Sequence, residues 1–223
     1  MINIDSEMNS RSTELAFFFF CLIGVSCMVP LHFLSVEHIR LQQRFGVEKG
    51  KRIGEILGLI SGWGFFAFWM GLWFSPQPRF TIPFLPLPVL RIPNIGVSAP
   101  LVNLLISLPL LSAGAWLGVE GVRAVTLRVA ETHTAERVVT TGVYSIVRHP
   151  QYLGGLLAHV GASFLLSAWF SLVSTPLMVL FNYLISRKEE EELVREFGLE
   201  YEEYRGRVPM LVPRLRRPAN TAQ

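Results

Sequence analysis

Cysteine is nearly missing from this sequence. Cys21 and Cys27 are the only two in 223 residues, and both fall in the first apolar run. That excludes a disulfide scaffold and makes them packing residues. Their spacing is no metal signature, and no metal site is expected. Charge is scarce as well. Only 17% of residues are charged against 51% hydrophobic, and the mean hydropathy is +0.41. A soluble domain of this length would be more polar. The net charge of +3 gives no reason to expect a nucleic-acid partner. The chain opens on the polar "MINIDSEMNSRSTE". It lacks the basic start of a secretory signal peptide, so none is expected. A Gly-x-Gly-x-x-Gly dinucleotide fingerprint is also missing, although a membrane reductase using NADPH need not carry one.

Long apolar runs are what the sequence has instead. A spanning helix needs about 20 mostly apolar residues. Glu14–Val36, Ile53–Ser75 and Ala99–Gly121 meet that length. Gln151–Ser167 and Ser171–Ser186 are shorter and are joined by "AWFS". They read as a tight helical hairpin, its arms short for a full crossing, with Pro176 expected to kink the second arm. The fold class expected is an all-α integral membrane protein with about five transmembrane helices.

Basic residues orient these spans. Lys and Arg number five over 37–52, four over 123–150 and eight from Arg187 onward. The N-terminus carries one, the 76–98 loop two and the hairpin tip none. With five spans, alternate sides carry seventeen and three. The positive-inside rule then puts the N-terminus outside and the C-terminus in the cytosol. The loop "PQPRFTIPFLPLPVLRIPNIGV" is too rich in proline for a regular helix and is expected to lie irregularly on the outer interface.

The unusual residues gather on the cytosolic side. In "TTGVYSIVRHPQY", Pro150 suits the first turn of a helix and pushes His149 out of helical geometry. His149-Pro150 therefore marks the cytosolic start of the fourth span, where free N–H groups and the positive dipole end favour an anion. Tyr144 and Tyr152 bring aromatic faces to the same corner. As a structural feature alone, the stretch is a membrane boundary with a snorkelling arginine and anchoring tyrosines. Beyond the fifth span, Glu189 and Glu190 are the first acids, and Arg187 and Glu190 share a helix face. Leu193, Phe197, Tyr201, Tyr204 and Val208 form an apolar stripe, so the tail is an amphipathic helix bent near Gly198 and ended by Pro209. Its stripe should meet the membrane or the 123–150 segment. Inside the spans, His32, Asn103, His159 and Asn182 are polar, and His159 is expected to face Asn182 across the hairpin.

"TTGVYSIVRHPQYLGG" followed by "RKEEEELVREFGLEYEEYRGRVPMLVP" resembles the isoprenylcysteine carboxyl methyltransferase family, within the phospholipid methyltransferase-like membrane enzymes. The likeness covers roughly residues 128–213. It implies spans in 1–122 and a methyltransferase core in 123–223, with a cytosolic pocket formed by the loop before helix 4 and the C-terminal helix. It implies S-adenosyl-L-methionine as cofactor. The implied cofactor residues are Glu136, Arg137, Val138 and Val139, then Tyr144, His149, Pro150, Gln151 and Tyr152, with Glu189 or Glu190 completing the site. Arg187 would orient the acceptor, with Glu190 beside it in the catalytic pair. The acceptor implied is lipid-like or prenylated and enters from the bilayer, with membrane lipids as further partners. Phospholipid amines and small thiols are acceptors elsewhere in the superfamily. An NADPH-dependent reductase and a non-enzymatic membrane regulator remain as readings of a different class.

The chemistry of that cofactor suits these residues. A helix start suits its carboxylate, a glutamate its ammonium, and tyrosine and apolar walls the rest. In-line methyl transfer needs alignment and exclusion of water. A carboxylate acceptor is already ionised at neutral pH and needs no base, whereas a thiol or amine would call on His149, a tyrosine or a glutamate.

Overall fold

The computed structural model describes residues 4–82, 88–92, 97–126 and 137–214. Among these, apolar runs become long helices: α1 (Ile4–Val36), α3 (Val47–Phe74) and α4 (Leu101–Val125). Among the described residues, these are the three helices long and apolar enough to cross a membrane. The hairpin arms fall short of that by length and composition. The first arm, α5 (Pro150–Leu165), has 16 residues. The second, α7 (Thr175–Phe197), turns charged at Arg187.

The basic stretch after α1 is helical, not a loop. Its sequence "HIRLQQRF" alternates apolar and basic faces and forms α2 (His38–Phe45). Gly46, at φ +83°, separates it from α3. Residues 76–82 are irregular apart from the bridge of Arg79 to Ala168. Beyond them, β1 (Val89–Ile92) pairs antiparallel with β2 (Val97–Pro100), a ladder that the proline count had obscured.

Two helix pairs build the bundle. Helices α1 and α3 run antiparallel, with Gly24 under Phe68, Gly64 under Met28 and Gly71 against Cys21. Their contact carries the apolar core of Phe18, Cys21, Val25, Trp69 and Leu72, which Met178 of α7 completes. Helices α4 and α5 also run antiparallel and approach until backbone meets backbone. A Cβ on Gly154 would lie 2.7 Å from the Gly114 carbonyl oxygen, and a Cβ on Gly114 would lie 2.7 Å from that of Gly154. Small residues permit this approach, which dispersion then rewards.

The hairpin turns through Ser167 and the short helix α6 (Trp169–Val173). Pro176 sits in the first turn of α7 and starts that helix, where its missing N–H is no loss; it does not kink the arm. The tip is tied to the start of α4 and to the segment after α3. Asn103 Nδ2 donates to Ser167 Oγ at 2.9 Å, Phe80 N–H to the Ser167 carbonyl at 3.0 Å, and Trp169 N–H to the Pro78 carbonyl at 3.1 Å.

His159 does not pair with Asn182. The indole N–H groups of Trp69 and Trp73 both donate to His159 Nδ1, at 2.8 and 2.9 Å. Asn182 donates instead to the Met178 carbonyl one turn back at 2.8 Å. The α3 tryptophans reach His159 first because α3 packs beside α5.

The tail follows its apolar stripe. Helix α7 ends at Gly198, at φ +56°, and α8 (Leu199–Arg207) follows. Tyr201 and Tyr204 are buried, and the Tyr204 hydroxyl donates to the Tyr144 carbonyl at 2.7 Å. The stripe has therefore docked on the segment before α5.

Candidate functional site

At the start of α5 the chain passes from non-helical backbone into helix. A 3₁₀ turn over Gly142–Ser145 uses Gly142 at φ +62°, and His149 caps α5 with Pro150 in the first turn. The tail straps this corner down: Arg148 N–H donates to the Pro209 carbonyl at 2.9 Å and His149 N–H to the Met210 carbonyl at 3.2 Å.

Four charged side chains lock the corner to α7. Arg148 grips Glu190 with two bonds, Nε to Oε1 at 2.7 Å and Nη2 to Oε2 at 2.9 Å. Its remaining nitrogen Nη1 donates to the carbonyls of Arg205 and Val208. His149 lies between two carboxylates, with Nε2 at 3.0 Å from Glu190 Oε1 and Nδ1 at 3.4 Å from Glu189 Oε2. Its ring stacks on Tyr152 at 5.6 Å. Glu189 also takes the Tyr152 hydroxyl and His32 Nε2, the latter at 2.9 Å. Arg148 and a protonated His149 thus balance Glu189 and Glu190, as buried charges require.

The pKa values follow from these contacts. Burial alone would lower that of His149, but its bonds to Glu189 and Glu190 outweigh burial and raise it. Burial alone would raise that of Glu190, but His149 and Arg148 outweigh it and lower it. Burial pushes the Tyr144 hydroxyl up to about 12. Stability held by His149 is fully present below its ordinary value of 6.5 and is lost as pH rises through its raised folded value. Stability held by Glu190 is present above 4.5 and is lost as pH falls through its lowered value. Thermal unfolding in micelles is expected to be latest between these limits. His149→Gln should flatten the alkaline fall; an identical alkaline limb in that variant would refute the assignment.

Beside the corner opens a cavity of about 650 Å³. Arg137, Val138, Val139, Tyr144, His149, Pro150, Gln151, Tyr152 and Glu189, all expected from sequence, line it. Glu136 lies outside the described residues. Glu190 does not line the cavity; it sits 3% exposed behind it with both oxygens engaged. Arg187 points away, 63% exposed, with Glu191 3.6 Å distant. The buried arginine of the corner is Arg148.

Sequence reading missed Arg148 and the end of α4, at Ala124, Val125 and Thr126. It missed two more walls. One comes from the α1–α2 junction: Val36, His38, Ile39 and Gln42. The amphipathic pattern of "HIRLQQRF" was the available signal. The other comes from α7 and α8: Glu192, Leu193, Glu196, Tyr201 and Tyr204. On it, burial and the neighbouring Glu192 raise the pKa of Glu196, a strain that a bound cation would relieve.

Residues 102–200 match the sequence family described as phospholipid methyltransferase. The chain is 43% identical over 75 residues to methanethiol S-methyltransferase 2 of Bradyrhizobium diazoefficiens, covering 33% of this chain and 27% of that protein. It is 41% identical over 86 residues to the human protein-S-isoprenylcysteine O-methyltransferase, covering 38% and 29%. To protein-S-isoprenylcysteine O-methyltransferase B of Arabidopsis thaliana it is 37% identical over 91 residues, covering 40% and 44%. The match spans less than half the length of each of these relatives. No solved structure matches the chain. Residues 102–200, which supply most of the cavity wall, are thus the part of the chain that is similar to the phospholipid methyltransferase family.

Proposed function

We propose that the cavity binds S-adenosyl-L-methionine and that the chain transfers its methyl group to a lipid-like carboxylate, of which an isoprenylated cysteine is the best candidate. One observation carries this reading: residues far apart in sequence, Arg137–Val139, Tyr144, His149–Tyr152 and Glu189, line a single cavity of about 650 Å³. That volume lies within the roughly 300–1,000 Å³ of small-molecule sites. The similarity to named methyltransferases supports the same reading.

The residues fit the cofactor. Valine and tyrosine walls suit its adenosine, and the acids of α7 suit its positive groups. When bound, it supplies an electrophilic methyl on a sulfonium. The chain's own part is to orient and to exclude water. It offers little base catalysis at the corner. Both ring nitrogens of His149 face carboxylates, Glu189 is held by Tyr152 and His32, and the Tyr144 hydroxyl loses its proton only near pH 12. A carboxylate acceptor, ionised at neutral pH, asks for none.

The topology proposed is five crossings with the N-terminus outside and the cavity in the cytosol. The distribution of basic residues supports it. So do the bonds that carry the hairpin tip to the start of α4 and the segment after α3, at the end of the bundle away from the cavity.

The test is a radiolabelled methyl-transfer assay on purified protein with a farnesylated cysteine analogue, a phospholipid amine and a small thiol. Transfer to the farnesylated analogue is expected. Transfer to the thiol alone would replace the acceptor named here and match the bacterial relative instead. Absence of saturable S-adenosyl-L-methionine binding, with His149→Ala indistinguishable from wild type, would reject methyl transfer altogether.

A further inference from the structure

Glu189 lines the cavity, yet it is held from two distant parts of the chain. Tyr152 lies in α5, His149 caps that helix, and His32 lies in α1, far outside residues 102–200. His32 is 5% exposed and does not line the cavity; its Nε2 stands 2.9 Å from Glu189 Oε1, behind the wall.

We propose that His32 is a positioning residue that holds the Glu189 carboxylate in the cavity wall, so that the first helix is part of the cofactor site. The inference rests on the cofactor reading above. A glutamate on a helix surface has three rotatable bonds, and a wall that recognises a cation needs one of its rotamers held. Tyr152 and His149 approach Glu189 from one side, from the first turn of α5 and its cap. His32 approaches from another helix and fixes the carboxylate between the two. A hydrogen bond to a buried charged group is also among the stronger contacts available to a side chain.

The fold supplies its own control. Helix α1 is joined to α7 a second time, by the packing of Met178 against Phe18, Cys21 and Val25. Met178 lies outside the cavity lining and eleven residues from Glu189 along α7.

The experiment is calorimetric titration of S-adenosylhomocysteine into the full chain in micelles, for wild type, His32→Ala, His32→Asn, His32→Gln and Met178→Ala. His32→Ala is expected to raise Kd about tenfold, the loss of one hydrogen bond to a charged group. His32→Asn should behave likewise, because its amide stops short of the position of Nε2. His32→Gln, whose Nε2 reaches that position, should restore affinity. Met178→Ala should lower thermal stability and leave Kd unchanged. Equal losses of affinity in His32→Ala and Met178→Ala would reduce His32 to a tether and overturn the inference. So would wild-type affinity in His32→Ala or His32→Asn. If His32→Ala does not fold, the contrast between Asn and Gln decides. No binding by wild type would instead reject the cofactor reading beneath it.

Discussion

Arg148→Leu is expected to destabilise the protein by about 3–5 kcal/mol, the usual cost of breaking a buried ion pair from one side. The variant would leave Glu190, 3% exposed, without its bidentate partner. It would also free the Arg205 and Val208 carbonyls that Arg148 holds. In a chain of this length the change corresponds to a fall in Tm of roughly 10 °C, to be read by thermal unfolding in micelles. The α8 tail should become more sensitive to protease at the same time, because the Arg148 side chain supplies two of its ties to the corner. Arg148→Leu with Glu190→Leu should recover part of the stability, since no buried charge is then unpaired. It should not recover cofactor binding, since the tail that carries Tyr201 and Tyr204 stays loose. A single variant that unfolds at the wild-type temperature would show that Glu190 is not held by Arg148.

The second large effect is expected at Gly154. A Cβ there meets the Gly114 carbonyl oxygen at 2.7 Å and the Gly118 nitrogen at 3.0 Å. Both are backbone atoms, so neither can turn aside; α4 and α5 must separate. Gly154→Leu should therefore cost more than about 3 kcal/mol, the upper range for overpacking. It should also shift the His149-Pro150 corner, which begins the same helix. Gly118→Ala is the control: on the same helix contact, its Cβ would meet nothing within 4 Å. Size-exclusion profiles and thermal unfolding should separate the two, with Gly118→Ala folding normally. Equal behaviour would mean that the α4–α5 contact is looser than the structure has it.

How much of this was legible beforehand depends on the range of the interaction. The long helices were legible because a run of apolar residues carries its own signal, although α1 begins ten residues and α3 six residues earlier than expected. The helix start at Pro150 and the break at Gly198 were legible because each depends on one residue's backbone preference. The tail stripe was legible through its three- and four-residue spacing. Helix α2 was missed because five basic residues over 37–52 made it look like a loop, although its period was there to read.

The pairings were not legible. Arg187 and Arg148 are both arginines near the membrane boundary, and nothing local tells which is buried. The structure buries Arg148 because the tail strap and Glu190 surround it, and leaves Arg187 beside Glu191 at the surface. His159 took Trp69 and Trp73 in place of Asn182 because α3 came to lie beside α5. His32 met Glu189 across 157 positions. Residue order thus settled the helices, their ends and the amphipathic tail, since propensity and periodicity act over a few neighbours. The packing of helices against one another settled which acid meets which cation, and with it the cavity wall, since a buried charge takes whatever partner the fold brings within about 3 Å.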